Sequence, residues 1–336
     1  MNTKTTFSKY MNSWLYSDDG YYANYKQIGK QGDFFTSVSV SKFFGGAIAN
    51  KIIKLIEENK LPKNSTIIEI GAHHGYLFAD VIQFIYTLKP QLLNSLNFAI
   101  IERFDSLKKQ QEKYLKDSFA DAITLTHYKD ISEVKCSNAF IFANEIFDAF
   151  ACELVHTKDD KIMQAFVRNN SIIFEETKDL NIINHCKKYD ISKGEICLDY
   201  ETFVNNLNSS IDKFFFLTFD YGDRYPRNDF SCRVYKEHET TPIFDENINL
   251  ERLYKNSDIT YDVHFNYLKD LFENNNCKVE FNTQTNALIN FGIIELLDIL
   301  RKNSDENTYL KETQKIKMLL EPTGMGDRFK ILLIEK

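Results

Sequence analysis

At 336 residues the chain can hold one large α/β domain, or one domain with an inserted or appended part. With 43% apolar and 26% charged residues it is globular rather than disordered. The formal net charge of −7 argues against a general nucleic-acid binder or a membrane-surface protein, and no apolar stretch approaches the roughly 20 residues of a membrane span.

The first residues, Met1 to Tyr10, are polar and lack an apolar signal core. The six cysteines form no C-x-x-C pair and none stands at metal-ligand spacing from a histidine. Scattered reduced thiols suit a reducing compartment, so the expectation is a cytoplasmic protein with no membrane insertion. No metal site is expected either. His73 and His74 are adjacent and their side chains diverge, and His264 stands alone before a predicted helix.

Residues 1–62 read as a helical lead-in. Phe44, Ile48, Ile52, Leu55 and Ile56 make one apolar helical stripe, and the glycines of the preceding stretch 29–37 mark a loop. From residue 63 strands and helices alternate. Apolar runs at 66–70, 97–102, 122–126, 139–143 and 214–219 predict parallel strands buried on both faces. Between them, runs near 151–156, 161–167 and 171–175 are separated by Lys158-Asp159-Asp160 and Asn169-Asn170, which predicts an antiparallel meander in an insert at about 151–200. A second insert, at about 245–320, is predicted to be helical over 264–275, 285–303 and 306–319. Two last strands are expected at 278–282 and 329–334. One elaborated α/β domain with a Rossmann-like seven-stranded sheet is the expected architecture.

The stretch Ile67-Ile68-Glu69-Ile70-Gly71-Ala72-His73-His74-Gly75 predicts strand, tight turn and helix, a geometry that aims backbone N–H groups at a polar ligand. A dinucleotide fingerprint needs glycine where His73 and Tyr76 stand, so it fails twice. The G-x-G-x-G pattern of S-adenosylmethionine (SAM) enzymes matches at Gly71 and Gly75 and fails at His73. An ordinary glycine turn of an α/β core has the same residues.

Three further strand ends carry polar groups, where α/β sheets place their ligands. Glu102 closes the second strand; an acid there accepts hydrogen bonds from ribose hydroxyls, or simply begins a helix. Asn144-Glu145 closes the fourth, and Asp148 follows three residues on. If a helical turn begins at Glu145 the two carboxylates share a face and can grip a guanidinium, or they form a capping arrangement. Asp220-Tyr221-Gly222 closes the fifth; the glycine suggests a turn, and Tyr221, like His264, can wall a pocket.

Several separated blocks then resemble one family, in one order along nearly the whole chain. They are Tyr10-Met11, Leu15-Tyr16 and Gly20-Tyr21-Tyr22, then Gly32-Asp33-Phe34-Phe35-Thr36-Ser37, Glu69-Ile70-Gly71-Ala72 and Ala143-Asn144-Glu145-Ile146-Phe147-Asp148-Ala149. Asp220-Tyr221-Gly222, Asp262-Val263-His264-Phe265, Thr283-Gln284 and Met325-Gly326-Asp327-Arg328-Phe329-Lys330 complete the set. Together they are similar to the MidA-like SAM-dependent methyltransferases, relatives of the mitochondrial assembly factor that methylates an arginine of a respiratory complex I subunit.

The resemblance implies SAM as cofactor and a protein substrate, possible in a respiratory complex, with an arginine as methyl acceptor. It implies that Gly32, Asp33 and Thr36 help close the cofactor site, and that Glu69, Gly71, Ala72 and Gly75 form the first cofactor loop. Glu102 would bind ribose, Asn144 would also touch the cofactor, and Asn144, Glu145 and Asp148 would border the acceptor as the catalytic residues. Two departures stand out. His73 and His74 replace the glycine and threonine of the usual Gly-Ala-Gly-Thr-Gly loop, and Phe150-Ala151 replaces Leu-Pro after Phe-Asp-Ala. A histidine at the middle glycine can crowd the cofactor or line its pocket. A non-catalytic assembly or binding protein on a degenerate methyltransferase fold is therefore one alternative, and a small-molecule methyltransferase another. The oligomeric state is not legible.

Overall fold

Ile67, Ile68, Ala99, Ile100, Phe140, Ile141 and Phe142 are all enclosed, and no water-facing side alternates with them. Such runs can only be the middle of a sheet covered on both faces. The computed structural model describes residues 4–23, 37–237 and 239–336. The chain divides into two units, each discontinuous in sequence. A sheet unit comprises Phe35–Ile146, Asn205–Asp220 and Phe272–Lys336; an insert unit comprises Met1–Phe34, Phe147–Val204 and Tyr221–Leu271.

The sheet unit carries seven strands among the described residues. They are β1 (Thr66–Ile70), β2 (Asn97–Ile101), β3 (Leu125–Tyr128), β4 (Cys136–Asn144), β5 (Ile211–Asp223, whose last three residues belong to the insert unit), β6 (Lys278–Thr283) and β7 (Phe329–Glu335). Their order is β6-β7-β5-β4-β1-β2-β3. Strands β5, β4, β1, β2 and β3 pair in parallel, and β6 pairs antiparallel with β7. This is the Rossmann-like methyltransferase sheet expected from the sequence. Ile70 pairs with Ala143, so the exits of β1 and β4 are neighbours. The apolar faces of helices α1 (Phe43–Glu57) and α2 (Tyr76–Leu88) close over Phe98, Phe140 and Phe142 in the main core, and Leu107 and Leu115 of α3 (Asp105–Phe119) are buried as well.

Two boundaries differ from the sequence reading. The third strand begins at Leu125 rather than 122, because Ala120 ends α3 at φ +48 and the Ala122 amide turns back onto the Phe119 carbonyl. The helix expected over 285–303 is two, Gln284–Asn290 and Ile293–Asn303, broken at Gly292 with φ +89. The expected lead-in over 1–62 is shared between the two units rather than forming a body of its own.

In the insert unit the meander is present. Strands Glu153–Lys158, Lys161–Arg168 and Ser171–Glu176 pair antiparallel through turns at Asp159-Asp160 and Asn169-Asn170, all four in the left-handed region. Thr5–Thr6 and Lys193–Ile196 extend the sheet on either side. Helix Phe7–Tyr16 buries Phe7, Met11, Trp14 and Leu15, and Trp14 Nε1 donates to the Ser257 carbonyl at 2.7 Å.

Gly222 does not form the turn expected of it. It lies inside β5 at φ +147, where its neighbour Val263 pairs in parallel. A Cβ there would sit 2.2 Å from the Val263 carbonyl oxygen. Gly222→Ala should therefore lower unfolding free energy by about 3 kcal/mol or more in urea titrations; a loss under about 1 kcal/mol would show that the contact relaxes freely.

Candidate active site

In the sheet unit, β1 ends in a turn whose backbone is left-handed at Gly71, His73 and Gly75 (φ +69, +47 and +80). These are the three glycine positions of a G-x-G-x-G loop. His73 adopts the conformation of the missing glycine, and histidine is among the residues found there most often apart from glycine. Its ring packs edge-on against His74, 4.0 Å between centroids, and His74 in turn stacks on Tyr76 at 5.1 Å. Burial lowers the His74 pKa, so this ring is neutral at neutral pH. Helix α2 starts at Tyr76, directly after Gly75, and presents its free N-terminal amides at the same edge.

Glu69, inside β1, is buried; burial pushes its pKa well above the usual carboxylate range, and the Phe78 amide at the start of α2 pulls the other way. Its Oε2 has no hydrogen-bond partner among the described residues. Ala72 is buried in the turn. Across the sheet, Glu102 follows β2, 7% exposed, and accepts from the Phe104 amide at 3.0 Å and from Gln111 Nε2 at 3.2 Å. Desolvation raises its pKa too, against the pull of those donors.

At the β4 exit Asn144 Nδ2 donates to Glu145 Oε1 at 2.7 Å, while Asn144 Oδ1 is buried without a partner among the described residues. The Glu145 amide donates to the Phe219 carbonyl at 2.8 Å, and Glu145 itself is left-handed at φ +54. No helical turn begins there. The single turn is Phe147–Ala149, so the shared helical face expected for Glu145 and Asp148 is not formed. Gly32, Asp33 and Thr36 lie outside the described residues.

In the insert unit Asp148 is buried and accepts a short hydrogen bond from the Tyr221 hydroxyl, which also shares a 2.6 Å bond with Thr260 Oγ1. Burial pushes the Asp148 pKa up to about 6, opposed by Tyr221 and by Arg233. The Arg233 guanidinium lies over the Tyr221 ring, 4.8 Å from its centroid, and bonds Asp262 at 2.7 Å. His264 packs edge-on against Tyr189 at 4.9 Å, and burial lowers its pKa to about 4, which leaves it neutral. Tyr221 therefore holds a buried carboxylate, and Thr260 and Arg233 join it. Neither partner was singled out from the sequence; Arg233 stands in the alternating segment Arg233-Val234-Tyr235-Lys236, where a charge reads as solvent-facing.

Sequence reasoning also missed Gln111. Its signal is legible in retrospect: it is the one polar residue of the buried α3 stripe Leu107, Gln111, Leu115.

The loop, its helix and the orphaned acceptors Glu69 Oε2 and Asn144 Oδ1 suit a nucleoside carrying hydroxyl and ammonium donors. A family model described as an S-adenosyl-L-methionine-dependent methyltransferase matches residues 47–283. The chain belongs to this family. It is a class I methyltransferase, and its cofactor is SAM. The structure of a Burkholderia thailandensis protein bound to S-adenosyl-homocysteine shares the fold, with TM-score 0.83, 18% identity, and 99% of this chain and 88% of that one covered.

Curated relatives include the mitochondrial protein arginine methyltransferase NDUFAF7 of Xenopus tropicalis, 24% identical over 98% of this chain and 82% of that protein. The human NDUFAF7 is 23% identical over 96% of this chain and 78% of its own length. The Caenorhabditis elegans homologue is 24% identical over 91% and 77%. These names overturn the cytoplasmic location expected above: all three relatives are mitochondrial proteins, and reduced cysteines do not distinguish that compartment from the cytosol. No helix among the described residues is long and apolar enough to cross a membrane.

The raised Asp148 pKa has a sign. The folded state holds that proton more tightly than the unfolded chain, so between about pH 4 and pH 6 stability falls as pH rises. Asp148→Asn should flatten that part of a melting-temperature profile relative to the parent; an unchanged slope would show that Asp148 does not carry it.

Proposed function

We propose that this methyltransferase modifies a guanidinium nitrogen of a protein arginine. The observation that carries the reading is the placement of Glu145. A carboxylate in left-handed backbone directly after β4, its amide tied to Phe219 and its side chain tied to Asn144, is held in a costly conformation at the sheet edge where α/β enzymes work. The relatives named as protein arginine methyltransferases align over nearly the whole chain, which supports the same acceptor here.

SAM, when bound, supplies an electrophilic methyl group. Gly71, Ala72, Gly75 and the start of α2 would hold its polar tail, and Glu102 its ribose. An arginine is a poor nucleophile while protonated, with a reference pKa of about 12.5–13.8. Glu145 would bind two N–H groups of the guanidinium, gather its positive charge on the nitrogens that do not react, and accept the proton lost on transfer. A carboxylate also favours the protonated form, so much of its contribution would be orientation in near-attack geometry. Asp148, tied to Tyr221, and His264 belong to the insert unit and are given no step in this reading. A respiratory-complex subunit is the class of protein substrate this reading favours. His73 leaves the path of the loop intact, because its backbone already adopts the left-handed conformation of the missing glycine.

Glu145→Gln should bind SAM like the parent in calorimetry while transfer to an arginine-containing protein falls by about 10²–10⁴-fold. Normal turnover by that variant would remove Glu145 from the chemistry. Glu102→Ala should do the reverse, weakening SAM by about tenfold or more; unaltered affinity would dismiss it as the ribose acid.

A further inference from the structure

Gln111 is fully buried on α3, in a stripe that Leu107 and Leu115 otherwise make apolar. An amide is costly to enclose unless every polar atom finds a partner, and this one does. Nε2 donates to the His73 carbonyl at 2.8 Å and to Glu102 Oε2 at 3.2 Å. Oε1 faces His127 Nε2 at 3.0 Å; since Oε1 can only accept, His127 carries its proton on Nε2. The Gln111 Cγ lies 3.7 Å from where a Cβ on Gly75 would stand. One side chain thus holds the middle of the left-handed loop and the acid two strands' width from β4. The other ionisable groups acting on this cluster are Glu112, whose Oε1 is 3.6 Å from His127 Nδ1, Lys108, which also acts on His127, and Arg103, which acts on Glu102.

We propose that Gln111 is a positioning residue for the cofactor: by bonding the His73 carbonyl and the Glu102 carboxylate with one amide, it fixes the spacing between the SAM loop and the ribose acid. With glycine at the middle of the loop replaced by histidine, the turn is pinned from α3 instead of being left to find its own path. This rests on the assignment of the loop and Glu102 to SAM, which Gly75→Val tests separately, because a branched side chain cannot follow φ +80.

The test is SAM calorimetry on three variants, each checked for folding by circular dichroism. Gln111→Leu continues the stripe and breaks all three bonds; its Kd should rise about 10–100-fold at every pH. Gln111→Glu keeps the shape but sets a carboxylate against Glu102. Its Kd should rise by a similar factor at about pH 8 and return to within about threefold of the parent, measured at the same pH, near pH 5.5, where the introduced carboxyl is protonated and donates again. A merely structural glutamine gives no such recovery. If Gly75→Val loses SAM while both Gln111 variants bind it within about twofold of the parent, or if the Gln111→Glu defect is the same at both pH values, Gln111 is not a positioning residue. If all three variants bind like the parent, the loop assignment falls and this inference with it.

Discussion

A parallel sheet buried on both faces has one place for polar chemistry, the line where its strands stop. Everything functional in the sheet unit follows from that constraint. The buried interiors of β2 and β4 are apolar and admit no ligand, and the one acid of β1, Glu69, stands a single residue from that strand's end. Their register brings the ends of β1 and β4 side by side, so Gly71 leaves the sheet next to Asn144 and Glu145. The polar groups there are then stationed by short exits rather than by long loops.

Those exits are strained in a consistent way. Gly71, His73, Gly75 and Glu145 all carry positive φ within the sheet unit. Two of the four are not glycine, and each is tied by hydrogen bonds from a neighbouring element: His73 through Gln111, Glu145 through Phe219 and Asn144. An unfavourable backbone persists when its surroundings leave it no alternative. The histidine that breaks the glycine pattern in sequence therefore does not break the path of the chain. The insert unit uses the same logic with side chains: the Asp148 carboxylate survives burial because Tyr221, and beyond it Thr260 and Arg233, are arranged around it.

The strands of the sheet were legible because their composition admits one environment. Ile67-Ile68 and Phe140-Ile141-Phe142 cannot face water, and the meander announced itself through Asp159-Asp160 and Asn169-Asn170. The family was legible from motif order. What stayed hidden was whatever depends on residues distant in sequence. Gln111 reads as one more helix former until the tertiary fold turns it toward His73. The supposed turn at Gly222 is a close approach of Val263 from beyond residue 260, which no local pattern announces. The pairing of Glu145 with Asp148 relied on a helical turn that the left-handed Glu145 prevents from starting.

Trp14 is the chain's one tryptophan, and it is wholly enclosed in the insert unit with its indole N–H on the Ser257 carbonyl. Its fluorescence therefore reports on that unit alone, while the ellipticity of the helices is drawn from both. The protein carries a built-in optical probe: superposable emission and ellipticity curves during denaturation would mark a single cooperative structure, and separated ones would mark two that melt independently.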